Sequence, residues 1–157
     1  MFKKFVADSR RVVEEARKIA SRLESPTVEA EHLLMGVARQ PHTAAHDLLV
    51  SLGLDYDELR DALHADFEGS LAAVGITLSA FDLEATAATA RTPRWGTSAK
   101  LALQRSAKIA DARRDRRLTP GHIVLGVLRA PAGTVPRALD RAGVDRAELT
   151  RLVEAVL

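Results

Sequence analysis

The first part of the chain carries apolar residues at helical spacing. They step by four, three and four positions through Val12, Ala16, Ile19 and Leu23. This spacing puts them on one face of a helix of roughly residues 4–23. We expect the helix to stop at Ser25–Pro26, because the residue before a proline disfavours helical backbone.

Three shorter helices are predicted to follow. The second stops at Gln40–Pro41, the third ends at Gly53, and the fourth begins after Asp55, a good N-cap residue. No segment alternates apolar and polar residues for long enough to predict a strand. The apolar stripes of these helices comprise Leu33, Leu34, Val37 and Ala38, then Ala45, Leu48, Leu49 and Leu52, then Leu59, Leu63 and Phe67.

The whole pattern then recurs at a constant offset of 90 positions, without a gap, over about 55 residues. The segment from His32 to Val37 returns as His122 to Val127, for example. A fixed spacing over so many positions indicates a tandem duplication. In the second copy Thr119 is predicted as N-cap and Pro120 as the first helical residue.

The duplication predicts a single all-α domain over residues 1–157. We expect a first repeat over residues 4–68, a connector over 69–97 with a short helix near Ser79, and a second repeat over 98–157. The connector should begin as an extension of the fourth helix. Two four-helix repeats, about eight helices in all, should pack about a pseudo-twofold axis, since neither can bury its apolar stripes alone.

Composition narrows the class of protein. A net charge of +2 is a mild arginine excess, although the pI is about 9.3. The chain has no cysteine, which excludes disulfides and thiolate metal sites and fits a reducing cytoplasm. The start of the chain lacks the apolar segment of a signal peptide, and no stretch is apolar for long enough to span a membrane. We therefore expect a cytoplasmic protein without membrane contact.

Three segments resemble a known family. Met1-Phe2-Lys3-Lys4-Phe5, Arg11-Val12-Val13 and the segment from Ala30 to Val37 are similar to the N-terminal repeat domain of Clp ATPases of the ClpC/ClpA type. The resemblance implies an all-α fold of about eight helices with internal pseudosymmetry. No G-x-x-x-x-G-K-[ST] phosphate loop is present, so we expect a Clp N-domain that stands alone without an ATPase.

The resemblance also implies ligands. In some Clp N-domains the glutamate matching Glu31 contacts the guanidinium of phosphorylated arginine in client proteins, whereas Gly121 in the second copy could not. In the family, residues matching Phe2, Trp95 and Lys100 line a groove that binds peptides and some cyclic-peptide antibiotics. The alternatives are that Glu31 only favours a helix start through the macrodipole, and that Trp95 only fills the seam between the two halves.

Four histidines and a basic run are further candidates for a chemical role. His32 and His122 are expected to donate a structural hydrogen bond at a helix entrance. His42 and His46 have a spacing that zinc could use, but an exposed surface is the favoured interpretation because the other copy has neither. The basic run from Arg113 to Arg117 predicts a solvated loop, with an anionic partner as the alternative.

These observations predict a binding protein and no enzyme. The sequence has no Ser-His-Asp or Cys-His arrangement, paired-carboxylate cleft or dinucleotide turn, so we expect no catalytic residue, cofactor or metal. The leading hypothesis is a non-catalytic protein- and peptide-binding module of the Clp protease-chaperone system. It would act as adaptor, decoy or peptide-sequestering protein, with a Clp ATPase as a further partner. The alternative hypothesis is a small helical nucleic-acid-binding regulator.

Overall fold

The computed structural model describes residues 2–75 and 92–157, except for the side chain of Phe2. Within these ranges the chain forms eight α-helices and two very short strands. The all-α fold with about eight helices is therefore confirmed, whereas the short helix expected near Ser79 lies outside the described residues. The elements are α1 (Ala7–Arg22), β1 (Thr27–Val28), α2 (Ala30–Ala38), α3 (Ala44–Ser51), α4 (Tyr56–Ala73), β2 (Arg94–Trp95), α5 (Thr97–Arg113), α6 (Pro120–Leu128), α7 (Thr134–Arg141) and α8 (Arg146–Ala155).

Local chemistry sets the helix ends as predicted. Asp55 precedes α4, and its carboxylate accepts the backbone N–H of Glu58 at 2.9 Å. Gly53 follows α3 with φ of 73°, a left-handed conformation that glycine adopts without strain. Thr119 is the N-cap of α6, and Pro120 is its first residue. The first copy has Ala30 at the position of Pro120, so the two copies start this helix with different residues.

The centre of the molecule is built on α2 and α6. Every residue of α6 is buried, as is every residue of α2 except Glu31. Each of these helices packs against the long helix that precedes it in its own copy, α2 on α1 and α6 on α5. The two central helices also contact each other, so that one apolar core extends through both copies. This arrangement agrees with the predicted pseudo-twofold symmetry.

The strands were not predicted. Val28 of β1 pairs in parallel with Trp95 of β2, and an isolated parallel bridge pairs Phe5 with Leu118. These two bridges are related by the 90-residue offset, since Leu118 matches Val28 and Trp95 matches Phe5. Each bridge joins the segment before the long helix of one copy to the loop before α2 or α6 of the other. Pairs of two residues are too short to produce the alternation that predicts a strand.

Three residues predicted on apolar stripes are exposed. Leu23, Leu52 and Phe67 expose 45%, 44% and 54% of their surface. Leu23 and Leu52 are the C-cap residues that follow α1 and α3, and so they leave the buried face. Phe67 follows Asp66, which is only 2% exposed and occupies the inner face of α4. One residue further along a helix turns the side chain by about 100°, and this turn carries Phe67 towards solvent.

No helix among the described residues is long and apolar enough to cross a membrane.

Candidate functional site

Two glutamates at the start of α2 have different surroundings. The carboxylate of Glu29 accepts the backbone N–H of Ser98 at 3.3 Å and also bonds the Ser98 hydroxyl. It lies against Gly96, where an added Cβ would overlap it, and so it occupies the N-terminus of α5. Negative charge at a helix N-terminus is favourable. Glu29 is therefore committed to holding the two copies together.

The carboxylate of Glu31 is, by contrast, available. No salt bridge joins it to a cation in residues 2–75 or 92–157. Burial raises the pKa of the Glu31 carboxyl above its ordinary value of 4.5, and the charges of Glu29 and Asp66 raise it further. The backbone N–H of Glu31 and the charge of Arg137 oppose that increase. A carboxylate that has lost much of its water without gaining an ion pair favours the approach of a cation.

Glu31 lines a cavity of about 280 Å³ between the two copies, the Glu31 cavity. Its other lining residues include Glu29, then Ser98, Leu101 and Arg105 of α5, and Ala130 with the segment from Ala132 to Pro136. The Arg105 guanidinium donates to the carbonyl of Gly126 at 3.4 Å, and no acidic side chain in the described ranges pairs with it. The cavity therefore combines the Glu31 carboxylate and the Arg105 guanidinium, neither of which has an ion pair among the described residues, with the Glu29 carboxylate, which bonds Ser98.

The N-terminus of α7 also faces the Glu31 cavity. Gly133 precedes this helix and has no side chain with which to cap it. At the matching position of the first copy, the Thr43 hydroxyl accepts the N–H of His46 at 3.2 Å and caps α3. The first N–H groups of a helix have no partner within the helix, so α7 offers those of Thr134 and Val135 at the cavity, whereas Pro136 has no N–H. Together with Arg105 they form an environment suited to an anionic group.

The pseudosymmetric position holds a different cavity, the Gly121 cavity, of about 230 Å³. Thr119, Pro120 and Gly121 replace Glu29, Ala30 and Glu31 there, and Asp8 replaces Ser98. The side chain of Leu157 covers Gly121, with Cδ2 at 2.7 Å from the position that a Cβ would take. The second copy therefore lacks the carboxylate, and an apolar side chain fills the place from which it would extend.

A third cavity, the Phe67 cavity, has a volume of about 370 Å³ and lies between α2, α4 and α7. Its apolar lining comprises Leu23, Met35, Leu63 and Phe67. Glu31 and Thr134 line both this cavity and the Glu31 cavity. The two cavities are thus neighbours that share Glu31 and Thr134.

Asp66 forms a clamp between the two copies beneath the Phe67 cavity. Its Oδ1 lies 3.4 Å from Nε of Arg137 and 3.2 Å from Nε of Arg141, both on α7. Asp66 is buried, whereas the two arginine side chains are about half exposed, at 52% and 48%. The two arginines therefore balance the charge of the buried Asp66 carboxylate and form no ion pair with Glu31.

The two repeated histidines accept hydrogen bonds where donation was predicted. Nδ1 of His32 accepts the backbone N–H of Glu29 at 2.9 Å, and Nδ1 of His122 accepts that of Thr119 at 3.0 Å. The histidines do lie at the helix entrances, as predicted. The predicted direction of the hydrogen bond is wrong, because the backbone N–H of the N-cap residue is the donor and the ring nitrogen accepts it. His122 does donate elsewhere, from Nε2 to the Asp115 carboxylate at 2.9 Å. This bond, together with Arg113, lowers the pKa of Asp115.

Burial lowers the pKa of His32, which agrees with an acceptor role for its ring nitrogen, although the charge of Glu29 acts in the opposite direction.

The predicted peptide groove is described only in part. Trp95 is half-buried in β2 and the Arg17 guanidinium lies 5.5 Å from its ring centroid. Lys100 is exposed in the first turn of α5, and the side chain of Phe2 lies outside the described atoms. Neither Trp95 nor Lys100 lines any of the three cavities above. The groove stays a prediction.

The basic run lies beside the N-terminus of the chain. The N–H of Leu118 donates to the carbonyl of Lys4 at 2.8 Å, which brings Arg116 and Arg117 next to Lys3 and Lys4. Both arginines are exposed. Elsewhere in the run, Arg113 pairs with Asp115 at 2.9 Å.

His42 and His46, the two histidines with a spacing that zinc could use, have different surroundings. His42 is exposed with φ of 65°, and Nδ1 of His46 lies 3.0 Å from the Asp47 carboxylate. Over the described ranges, no group of three or more histidine and acidic side chains could hold a metal ion.

Sequence reasoning selected Glu31 and did not find the residues around it. Arg105, Ser98 and Thr134 come from the other copy and meet Glu31 only through the packing of α5 and α7 against α2. One signal was available in the printed sequence. By the 90-residue offset, Arg105 corresponds to Glu15 of the first copy, and Gly133 corresponds to Thr43. Such differences between copies indicate positions where one repeat has acquired a task that the other lacks.

The family follows from a comparison with known proteins. The sequence model of the Clp repeat (R) N-terminal domain matches residues 4–95 and, a second time, residues 94–157. This chain belongs to the Clp repeat N-terminal domain family. The two matches confirm the predicted resemblance and the duplication within the Clp repeat domain. No curated protein sequence matches the chain.

Solved structures share the fold of this Clp repeat domain. The N-terminal domain of the caseinolytic protease associated chaperone ClpD from Arabidopsis thaliana is similar at 21% identity and a TM-score of 0.73, covering 99% of this chain and 95% of that chain. The N-terminal domain of Hsp104 from Candida albicans is similar at 14% identity and a TM-score of 0.66, covering 96% and 89%. A structure from a malarial protein secretion system is similar at 11% identity and a TM-score of 0.68, covering 97% and 93%. At these identities the likeness establishes the fold alone.

Proposed function

We propose that this Clp repeat domain is a non-catalytic module that binds client polypeptides of the cytoplasmic Clp system through arginine side chains at Glu31. The observation that carries the proposal is the Glu31 carboxylate, which is partly buried, has no ion pair among the described residues and lines a cavity. A guanidinium matches a carboxylate in shape and can donate two parallel hydrogen bonds to it. Glu29 cannot serve in the same way, because its carboxylate already bonds Ser98.

Phosphorylated arginine suits the Glu31 cavity better than arginine itself. The phosphorylated side chain carries a guanidinium and an anion close together. Glu31 would bind the guanidinium, while Arg105 and the first N–H groups of α7 would bind the phosphate. Apart from Glu29, whose carboxylate bonds Ser98, the cavity presents one acid and one base without an ion pair among the described residues, and this supports a ligand that also carries both charges.

The test is fluorescence anisotropy with three labelled peptides of one sequence, bearing phosphoarginine, arginine or phosphoserine. We expect the phosphoarginine peptide to bind most tightly and Glu31→Ala to weaken it about tenfold or more, as for loss of a charged hydrogen bond. Arg105→Ala should weaken the phosphoarginine peptide and leave the arginine peptide nearly unchanged. Glu14→Ala is the matched control, because Glu14 is an exposed glutamate on α1.

Stoichiometry provides a second readout of the same proposal. Gly121 supplies no carboxylate at the position of Glu31 and is covered by Leu157, so calorimetry should give one site per chain. Two equivalent sites, or binding that Glu31→Ala leaves intact, would reject the proposal. Glu31 would then be only a helix-start residue.

The further roles predicted from the sequence differ in their partners. An adaptor binds a client and a Clp ATPase together, a decoy competes with the ATPase for the client, and a sequestering protein binds a peptide alone. We also keep the proposal of a second groove at Phe2, Trp95 and Lys100 for apolar or cyclic peptides. Size-exclusion chromatography of the chain with a Clp ATPase and a client, with Trp95→Ala as variant, separates these roles.

Nucleic-acid binding is the second candidate, and it is supported by the exposed Arg116 and Arg117, which the backbone bond from Leu118 to Lys4 brings near Lys3 and Lys4. The small net charge of +2 argues against it. Binding of a duplex DNA that weakens steeply with salt and is lost in Arg116→Ser/Arg117→Ser would favour this function over the first.

A further inference from the structure

In the Phe67 cavity, the charged residues other than Glu31 form ion pairs, whereas part of the apolar surface is exposed. Arg137 pairs with Asp66, Arg60 with Asp57 at 3.3 Å, and His64 with Glu68 at 3.0 Å. Its apolar residues Leu23 and Phe67, in contrast, are 45% and 54% exposed. A cavity of about 370 Å³ is large enough to take a bulky apolar side chain. What this cavity offers to a ligand is therefore apolar burial.

Charge at the edge of the cavity indicates what the ligand carries beside its apolar group. Among the acidic residues that line the Phe67 cavity, Asp66 is held by two arginines and Glu31 has no ion pair. The same Glu31 carboxylate lines the Glu31 cavity, and Thr134 is shared as well. A ligand that fills both cavities would therefore carry a cation at Glu31. Its apolar group would lie in the Phe67 cavity, and the rest would extend towards Arg105 in the Glu31 cavity.

We infer that the bound client segment inserts a bulky apolar residue into the Phe67 cavity, two positions along the chain from the arginine bound at Glu31. The spacing follows from extended backbone, in which residues i and i+2 lie on the same face about 7 Å apart, whereas neighbours point to opposite faces. This inference rests on the proposed function and adds a specificity to it. Clients would be selected by a short motif of an arginine and an apolar residue.

The experiment uses three labelled nine-residue peptides with a central phosphoarginine in a glycine-serine background. The first has no apolar residue, the second has leucine two positions away on both sides, and the third has leucine at both adjacent positions. Binding is measured for the wild-type chain, Phe67→Ser, Glu31→Ala and Val50→Ser. Val50 is the matched control, because it is an apolar helix residue of similar exposure, 46%, that lines neither cavity.

We expect the second peptide to bind about tenfold more tightly than the first, and the third to resemble the first. Phe67→Ser should remove the advantage of the second peptide without changing the affinity of the first. Val50→Ser should change neither. Phe67 is exposed, so its replacement by serine removes contact surface and leaves the core intact.

Three results would overturn the inference. Equal affinities of the first two peptides, an advantage that survives Phe67→Ser, or an advantage of the third peptide over the second would each do so. Self-association of the chain that Phe67→Ser abolishes, with peptide affinities unchanged, would assign the cavity to a second copy instead. Failure of the proposed function has a different signature, since the first peptide would then bind equally well to the wild type and Glu31→Ala.

Discussion

The Glu31 carboxyl lies where burial raises its pKa and where no cation of the described residues forms an ion pair with it. The sequence alone drew attention to this residue, because its mate in the other copy is Gly121. Its availability could not be predicted, since that depends on Asp66 having taken both Arg137 and Arg141. Likewise, the histidine ring at the helix entrance was foreseen, and its role as an acceptor was not, because spacing reveals position and says nothing of proton direction.

The surroundings of Glu31 predict a stability that depends on pH. A carboxyl with a raised pKa in the folded state favours folding when protonated, so this contribution is present below the ordinary value of 4.5 and is lost as pH rises through the raised pKa. Glu31→Gln imitates the protonated form. The variant should have a higher thermal midpoint than the wild type at pH 7, with a difference that shrinks towards pH 4. Glu14→Gln should show no such trend, and an equal or lower midpoint for Glu31→Gln at pH 7 would contradict the argument.

At the scale of elements, periodicity and end signals were sufficient to locate the helices that could be checked. They failed at the strands, where two-residue pairs leave no pattern, and at Phe67, whose outward direction is set by the buried Asp66 beside it. The apolar stripes also could not predict where two helices approach each other closely. A Cβ at Gly36 would lie 2.8 Å from the carbonyl of Val12, and one at Gly126 would lie 2.2 Å from that of Ala102.

The contact at Gly126 predicts a strong effect of a very small substitution. Gly126→Ala should lower the free energy of unfolding by about 1–3 kcal/mol, because the methyl group meets the backbone of α5 and forces the helices apart. The gain of about 1 kcal/mol in helix propensity is too small to offset it. Gly121→Ala in the same helix is the control, since its methyl group would meet mainly the flexible end of Leu157. Urea denaturation of both variants decides the point, and similar losses would show that close helix packing is not the cause.

At the scale of the whole molecule, the duplication implied that the halves pack together without revealing how. The structure places a buried carboxylate of the first copy under two arginines of the second, so α4 and α7 are joined by charge. The predicted symmetry does not extend to this clamp. Residue 156 matches Asp66 by the 90-residue offset, and it is a valine. An interaction present once in a duplicated fold cannot be read from the repeat.

Removal of both arginines should therefore destabilise the molecule. Arg137→Ala/Arg141→Ala should cost roughly 2–3 kcal/mol in unfolding free energy, below the range for a fully buried pair because the arginines are half exposed and water can enter. Each single variant should cost much less, since the other arginine remains. Addition of Asp66→Asn to the double variant should recover part of the loss, because no uncompensated charge is then buried. A double variant as stable as the wild type would mean that the clamp contributes nothing.

The leucine that covers Gly121 has a consequence for clients with many arginines. A module with two equal sites could hold two arginines of one chain at once, and the second contact would profit from a high effective concentration, with gains of 10²–10⁴. If Glu31 binds arginine as proposed, the position of Leu157 over Gly121 leaves the module with one such site. Apparent affinity should then increase only in proportion to the number of arginines on the client. For a monovalent module, the dissociation rate of the client would not depend on how many modified arginines the client carries.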